Sequence, residues 1–215
     1  QHLLQLDPRG AEWMGFMEDF LVHETYFFRH EGQLDFLSKK VLPELLSERI
    51  KSGTHEFKAW CAACSSGEEA YSIGLLLKDA IAASKQSAQL NWHTSIVGTD
   101  LSSSVLSIAK RGEYTLTSGL NSFRDVPDFA RHHFAGVLHG TQKTWLADEH
   151  LRRTTSFQQR NILTDPAPVT GADLVLCRNV LIYMDEARKE RAIKTLVSAL
   201  RSGGVLVLGP ADMLK

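Results

Sequence analysis

Four polar clusters interrupt otherwise apolar stretches of this 215-residue chain, and each holds side chains able to do chemistry. Ser65-Ser66-Gly67-Glu68-Glu69 joins an apolar run to a long helical pattern, where the glycine permits a tight turn and close approach of a ligand. The competing reading is a capped turn whose two glutamates sit favourably on a helix dipole. Asp100 ends the run VGTD, where a carboxylate can accept both hydroxyls of a ribose or simply cap a helix. Cys177-Arg178-Asn179-Val180-Leu181-Ile182-Tyr183 runs off the end of DLVLCRN, and Arg178 with Asn179 breaks a run that a purely structural strand would keep apolar. His23-Glu24-Thr25-Tyr26-Phe27-Phe28-Arg29 carries an aromatic trio that, taken alone, reads as core.

A glycine turn followed by Asp100 suits an adenosine-containing ligand, yet the phosphate-cradling G-x-G-x-x-G is missing. The turn offers one glycine and two acids. Carboxylates repel pyrophosphate and suit a cationic cofactor such as S-adenosylmethionine, which carries a sulfonium and an α-ammonium.

These clusters need elements to position them. Trp13, Phe16, Met17, Phe20 and Leu21 recur at helical spacing, so an amphipathic helix is expected over 11–22. A second apolar-periodic stretch, Leu34 to Ile50, contains Pro43, which predicts a break or kink there and a helix from about Pro43 to Ile50. EFKAWCAAC (56–64) reads as a buried strand and EEAYSIGLLLKDAIAAS (68–84) as a long helix. HTSIVGTD (93–100) is a strand, SSSVLSIAKRGEY (102–114) a serine-capped helix, and DLVLCRN (173–179) a strand. DEARKERAIKTLVSALRSGG (185–204) is a helix closing on glycine, followed by the strand VLVLGPAD (205–212). Such alternation implies an α/β fold, a parallel sheet wrapped by helices, with its ligand beyond the carboxyl ends of the strands, where three of the polar clusters fall. Residues 115–160 lack clean periodicity and are read as a small antiparallel insertion, centred on about 131–157.

Composition narrows the function further. Hydrophobic residues at 43% and charged residues at 23% are ordinary globular usage. Lys+Arg 24 against Asp+Glu 25 gives a net charge of −1, so no sequence-wide field would hold a polyanion, and nucleic acid is not an expected partner. No apolar run approaches the ~18 residues of a membrane span, and QHLLQLDPRG lacks the order of a signal peptide. The sparse, odd set Cys61, Cys64 and Cys177 suits reduced thiols, hence a cytoplasmic protein without membrane insertion.

At the four clusters together the sequence resembles the CheR-type chemotaxis receptor methyltransferases, over nearly the whole chain. HETYFFR resembles that family's N-E-T-x-F-F-R, CSSGEEAYSI its C-S-T-G-E-E-P-Y-S-I, GTDLSSSVLSIAKRGEY its T-D-I-x-x-x-V-L-x-x-A-x-x-G-x-Y, and CRNVLIYMD its C-R-N-V-x-I-Y-F-D. Asn161, in QQRNIL, resembles its N-L-L. His23, Ala70 and Met184 stand where the family usually has asparagine, proline and phenylalanine.

The resemblance implies a Rossmann-like S-adenosylmethionine-dependent methyltransferase fold with a small β insertion and a remnant N-terminal helix. Residues 1–33 would be the end of an N-terminal helical domain and its linker, and 34–215 the methyltransferase domain. It implies methyl transfer to glutamate side chains on the cytoplasmic helices of a methyl-accepting chemotaxis receptor, with S-adenosylhomocysteine as product, by a monomer. Carried over by position, His23, Thr25, Arg29, Glu69, Asp100, Asn161, Ile162, Asn179 and Val180 would contact the cofactor, with Arg29 and Tyr183 at the reacting centre. Family members continue past the fifth strand into two further strands, whereas this chain stops at Asp212-Met213-Leu214-Lys215.

Four other readings compete. Trp60-Cys61-Ala62-Ala63-Cys64 imitates the W-C-x-x-C of a thiol-disulfide oxidoreductase, although Ser65-Ser66-Gly67 separates the cysteines from the helix. A zinc site lacks a second ligand pair, and His132, His133 and His139 are expected to face solvent. Asp165-Pro166-Ala167-Pro168 loosely resembles the N-P-P-Y of amino-directed DNA methyltransferases but does not end the strand DLVLCRN. The last is a non-catalytic module that binds S-adenosylmethionine or S-adenosylhomocysteine as a signal, for which Arg29 and Tyr183 would be superfluous.

Overall fold

The computed structural model describes residues 24–115, 122–123, 126–140 and 142–212. The helix expected over 11–22 and the candidate contact His23 lie outside them.

Five parallel strands form the central sheet: β1 (Glu56–Ala62), β2 (His93–Asp100), β6 (Thr155–Gln159), β7 (Ala172–Cys177) and β8 (Leu200–Leu208). They lie in the order β6-β2-β1-β7-β8, so the chain winds outward from β1 to one edge and then from β7 to the other. This is a doubly wound, Rossmann-like arrangement, and its order reverses between β1 and β7, where a crevice opens beyond the strand ends. Strands buried on both faces read as near-continuous apolar runs. Phe57, Ala59 and Cys61 of β1 enter one core with Leu174 and Leu176 of β7, while Trp60 and Ala62 enter the other with Val175 and Cys177.

Helices cover both faces. They are α1 (Glu31–Phe36), α2 (Leu42–Lys51), α3 (Glu68–Ala83), α4 (Ser103–Arg111), α5 (Asp128–Arg131), α6 (Glu149–Thr154) and α7 (Glu186–Ala199). The break or kink expected at Pro43 falls just before it, and the helix expected from Pro43 to Ile50 runs over Leu42–Lys51. A π-helical turn, Leu37–Val41, joins α1 to α2 one turn earlier, and Pro43 falls in the first turn of α2, where its missing N–H costs little.

Two other expectations are corrected. The last helix ends at Ala199 rather than at the glycines, and β8 begins at Leu200. The register jumps from Ala172–Leu200 to Leu174–Val205, and Gly203, at φ 77°, lies within the resulting bulge instead of capping a helix. The segment read as insertion divides as well. β3 (Glu113–Thr115), β4 (Phe134–His139) and β5 (Gln142–Ala147) make a separate antiparallel sheet in the order β3-β5-β4, but Thr155–Gln159 pairs in parallel with β2 and belongs to the central sheet.

Candidate active site

A cavity of about 570 Å³ opens where the carboxyl ends of β1, β2 and β7 meet the segment 24–30. Its floor is the β1–α3 turn. Ala63 and Ser65 take left-handed φ values of 58° and 49°, and Gly67 reaches 92°. A Cβ on Gly67 would meet that of Ala109 at 2.8 Å, so glycine here serves both the backbone conformation and the approach of α4. Ser65 N donates to Asp100 Oδ2 at 2.8 Å and Ser102 N to Oδ1 at 3.0 Å. Asp100 thereby ties the turn after β1 to the turn after β2, and the cap of α4 is Ser102 instead, whose Oγ accepts from Val105 N.

The two glutamates of the turn have separate fates. Glu68 is buried at 2% exposure, where it accepts from Ser66 Oγ at 2.7 Å and Ser122 Oγ at 2.9 Å. Glu69 lines the cavity and accepts from Arg178 Nη1 at 3.0 Å. Burial pushes the Glu69 carboxyl above the usual carboxylate range, and the Arg178 guanidinium pulls it back toward ionisation. The Arg178 fork is buried and fully engaged: Nε donates to Gln33 Oε1 at 2.9 Å and Nη2 to the Arg29 carbonyl. One side chain thus joins β7, α1, α3 and the segment 24–30.

That segment is held tightly. Phe27 is fully buried among Tyr114, Phe123 and Phe134, and Phe28 N donates to Ser72 Oγ at 3.0 Å. Of the expected aromatic core trio only Phe27 and Phe28 are buried; Tyr26 lines the cavity beneath the Arg29 guanidinium, 5.8 Å from its ring centroid. Arg29 Nη1 also donates to Glu24 O at 2.6 Å. Asp212, itself buried, accepts from the backbone N–H groups of Asn179, Val180 and Ile182, the last two at 3.1 Å. Four backbone groups, Gly209 N included, converge on that one carboxylate and set the loop after β7. The non-glycine residues described with positive φ are Phe28, His30, Ala63, Ser65 and Asn179, all in the cavity wall or against it. Such conformations cost about 1–3 kcal/mol each and persist only where surrounding contacts over-determine them.

Thr25, Arg29, Glu69, Asp100, Asn161, Ile162, Asn179, Val180 and Tyr183 all line this cavity. Tyr183 stands at its rim with 65% exposure. Asn161 spends its side-chain oxygen on Leu163 N, at 2.9 Å, and its own N–H on Asp165 Oδ2, also at 2.9 Å. Asp165, the first residue of the Asp-Pro-Ala-Pro run, therefore braces the Asn161 turn. Asp212, His30 and Gln33 had no sequence signal, since their partners lie 32, 149 and 175 positions away.

The competing chemistries find no support in the geometry. Cys61, Cys64 and Cys177 are free and buried, and burial pushes their thiols up, the opposite of an activated thiolate. Among the described residues no cluster of His, Cys, Asp and Glu has metal-binding geometry. The histidines are not uniformly solvent-facing: His132 and His139 are exposed, but His133 is half-buried and pairs with Asp148.

Residues 23–215 match the family described as CheR methyltransferase, SAM binding domain. The chain is 30% identical over 215 residues to a chemotaxis protein methyltransferase of Borreliella burgdorferi, covering all of this chain and 72% of that protein. It is 34% identical over 193 residues to chemotaxis protein methyltransferase 1 of Pseudomonas aeruginosa, covering 89% of this chain and 66% of the relative. Similarity to a probable biofilm formation methyltransferase, WspC, of the same organism is 32% over 218 residues, 99% of this chain and 47% of that one.

Proposed function

This chain belongs to the CheR methyltransferase family and carries its S-adenosylmethionine-binding domain, and from that premise we propose that it methylates glutamate side chains on the cytoplasmic helices of a methyl-accepting chemotaxis receptor. The products would be glutamate methyl esters and S-adenosylhomocysteine, made by a cytoplasmic monomer. Among the described residues no helix is long and apolar enough to cross a membrane. The observation that carries the reading is the convergence of Glu69, Asp100, Arg29 and Tyr183 on one cavity.

The residues fit the cofactor. Glu24, Glu69 and Asp100 line the cavity, no glycine-rich phosphate loop does among the described residues, and Phe28, Ile162, Val180 and Met184 supply apolar wall for a nucleoside. In our assignment Asp100 accepts the ribose hydroxyls, because the N–H groups of Ser65 and Ser102 fix its carboxylate and leave a lone pair free on each oxygen. Glu69 faces the amino-acid end, while Thr25, Arg29, Asn161, Ile162, Asn179 and Val180 complete the contacts. His23 belongs to the same assignment on sequence alone.

When bound, S-adenosylmethionine supplies a methyl group on a sulfonium, open to direct displacement by a carboxylate oxygen. A glutamate side chain in water, which titrates at ~4.3, is already ionised at neutral pH, so no residue has to act as a base. The protein's contribution is then alignment, exclusion of water and placement of charge. Arg29 offers a planar fork matched to the acceptor carboxylate, and the Tyr183 phenol donates one further hydrogen bond.

Labelled methyl transfer to a receptor cytoplasmic fragment tests this. The label should be released as methanol by mild alkali. Arg29→Lys, which keeps the charge and loses the fork, should slow transfer about tenfold or more, and Tyr183→Phe should slow it comparably with little change in cofactor affinity. Label that survives alkali would mean an N- or C-methylated product and would contradict the carboxylate mechanism.

A further inference from the structure

His30, at the start of α1, and Asn179, in the loop after β7, meet through a side-chain contact that the reaction does not directly use. His30 Nε2 lies 3.1 Å from Asn179 Oδ1. Both residues sit in the left-handed region at φ 61°, and both are pinned. His30 caps α1, its carbonyl accepting from Gln33 N at 2.9 Å, and the carbonyl of the preceding Arg29 accepts from Arg178 Nη2. Asn179 N is held by Asp212, and Asn179 lines the cavity.

We propose that His30 is a positioning residue that fixes the orientation of the Asn179 carboxamide, so that Asn179 presents its amide nitrogen to the cavity as a hydrogen-bond donor. The inference rests on the reading of this cavity as the cofactor site. A carboxamide oxygen can only accept, so the Nε2 facing it must carry the hydrogen. With Oδ1 turned to His30, the amide nitrogen lies on the side of the carboxamide away from the ring, where it can meet a ligand. The part of the ligand that meets Asn179 is therefore an acceptor, such as a carboxylate, a ribose oxygen or a ring nitrogen. Burial, with Arg178 and Arg29 nearby, keeps the ring neutral, against the opposing pull of the Asn179 hydrogen bond and Asp212. The neutral Nε2–H tautomer satisfies the contact without adding a third positive charge beside the two arginines. Without that donor the carboxamide is free to rotate by half a turn and offer an oxygen where the ligand needs a donor.

Calorimetric titration of S-adenosylhomocysteine into the intact chain reads the effect. His30→Phe keeps a ring and loses the donor, and should weaken binding about three- to tenfold. His30→Gln, which restores a donor, should recover affinity to within about twofold. In an Asn179→Asp background, where both side-chain oxygens accept and no amide can be oriented, His30→Phe should cost nothing further. An equal loss from His30→Phe in both backgrounds, or no recovery with His30→Gln, would reduce His30 to packing and overturn the proposal. Nitrogen-15 spectra of the wild-type imidazole give a readout independent of the variants. They should show the Nε2–H tautomer at neutral pH, and the Nδ1–H tautomer would overturn the proposal. Failure of the wild type to bind S-adenosylhomocysteine at all would instead remove the cofactor reading beneath it.

Discussion

Glu69 is held between burial, which favours its neutral form, and Arg178, which favours the carboxylate. Its folded-state pKa is raised, so protonation begins at a higher pH than for an exposed glutamate at 4.5. A carboxyl shifted this way adds most to fold stability below 4.5, and that contribution is lost as pH rises through the folded value. In the proposed assignment ligand binding has the opposite sign, because the ammonium of the cofactor's amino-acid end would be attracted only by the ionised form. Affinity for S-adenosylhomocysteine should therefore fall as pH is lowered from 8 toward 5. Glu69→Gln should bind more weakly at pH 8, by about tenfold, and lose that pH dependence; calorimetry across the range checks both. At this scale the sequence was legible where a polar residue interrupts an apolar run, as Arg178 and Asn179 do. It was silent where a side chain's role depends on distant partners, as with the four N–H groups on Asp212 and the imidazole of His30.

Among the elements, β2 needed no correction, since HTSIVGTD runs over the same eight residues in sequence and structure. The misreadings have physical causes. Thr155–Gln159 is an edge strand with one neighbour, and TSFQQ carries one large apolar residue, too little pattern to mark a strand. Gly203 and Gly204 look like a helix stop, yet the helix ends without them and they serve a bulge, a distinction made only by pairing with β7. Pro43 is absorbed because the π-helical turn precedes it. The same edge strand supplies a packing test. A Cβ on Gly98 of β2 would lie 2.6 Å from Phe157 Cδ1 and 2.9 Å from Cys64 Sγ. Both are packed neighbours rather than free chain ends, so Gly98→Ala overpacks the junction of β2 and β6. It should destabilise the fold by about 1–3 kcal/mol in urea denaturation. An unchanged midpoint would mean that Phe157 can move aside.

For the molecule as a whole, the two ends of the central sheet do different work. At the amino ends of β1 and β7, the fully buried Asp173 accepts from Arg49 Nε and Arg201 Nε, both at 2.6 Å, and from Lys58 N at 2.9 Å, an ionic clamp. At the carboxyl ends the charges face open space, and strained turns, Asp212 and the Arg178 fork hold them there. The alternation of strands and helices was enough to point to the carboxyl ends, where the cavity opens, because that follows from topology. The clamp was not readable, since Asp173 stands inside DLVLCRN as an ordinary strand residue and its arginines come from α2 and β8.

In our proposal the cavity at those carboxyl ends is an S-adenosylmethionine site read by carboxylates, with Asp100 on the ribose. Isothermal titration with S-adenosylhomocysteine tests it most directly, run beside thermal denaturation because Asp100 also holds Ser65 N and Ser102 N. Loss of a charge-assisted hydrogen bond costs about 1.5–3 kcal/mol. The wild type should bind one equivalent, Asp100→Ala should bind about tenfold more weakly or worse while still unfolding cooperatively, and a deoxyribose analogue should bind both proteins with nearly equal affinity. Equal affinities of wild type and Asp100→Ala for S-adenosylhomocysteine itself would contradict the account.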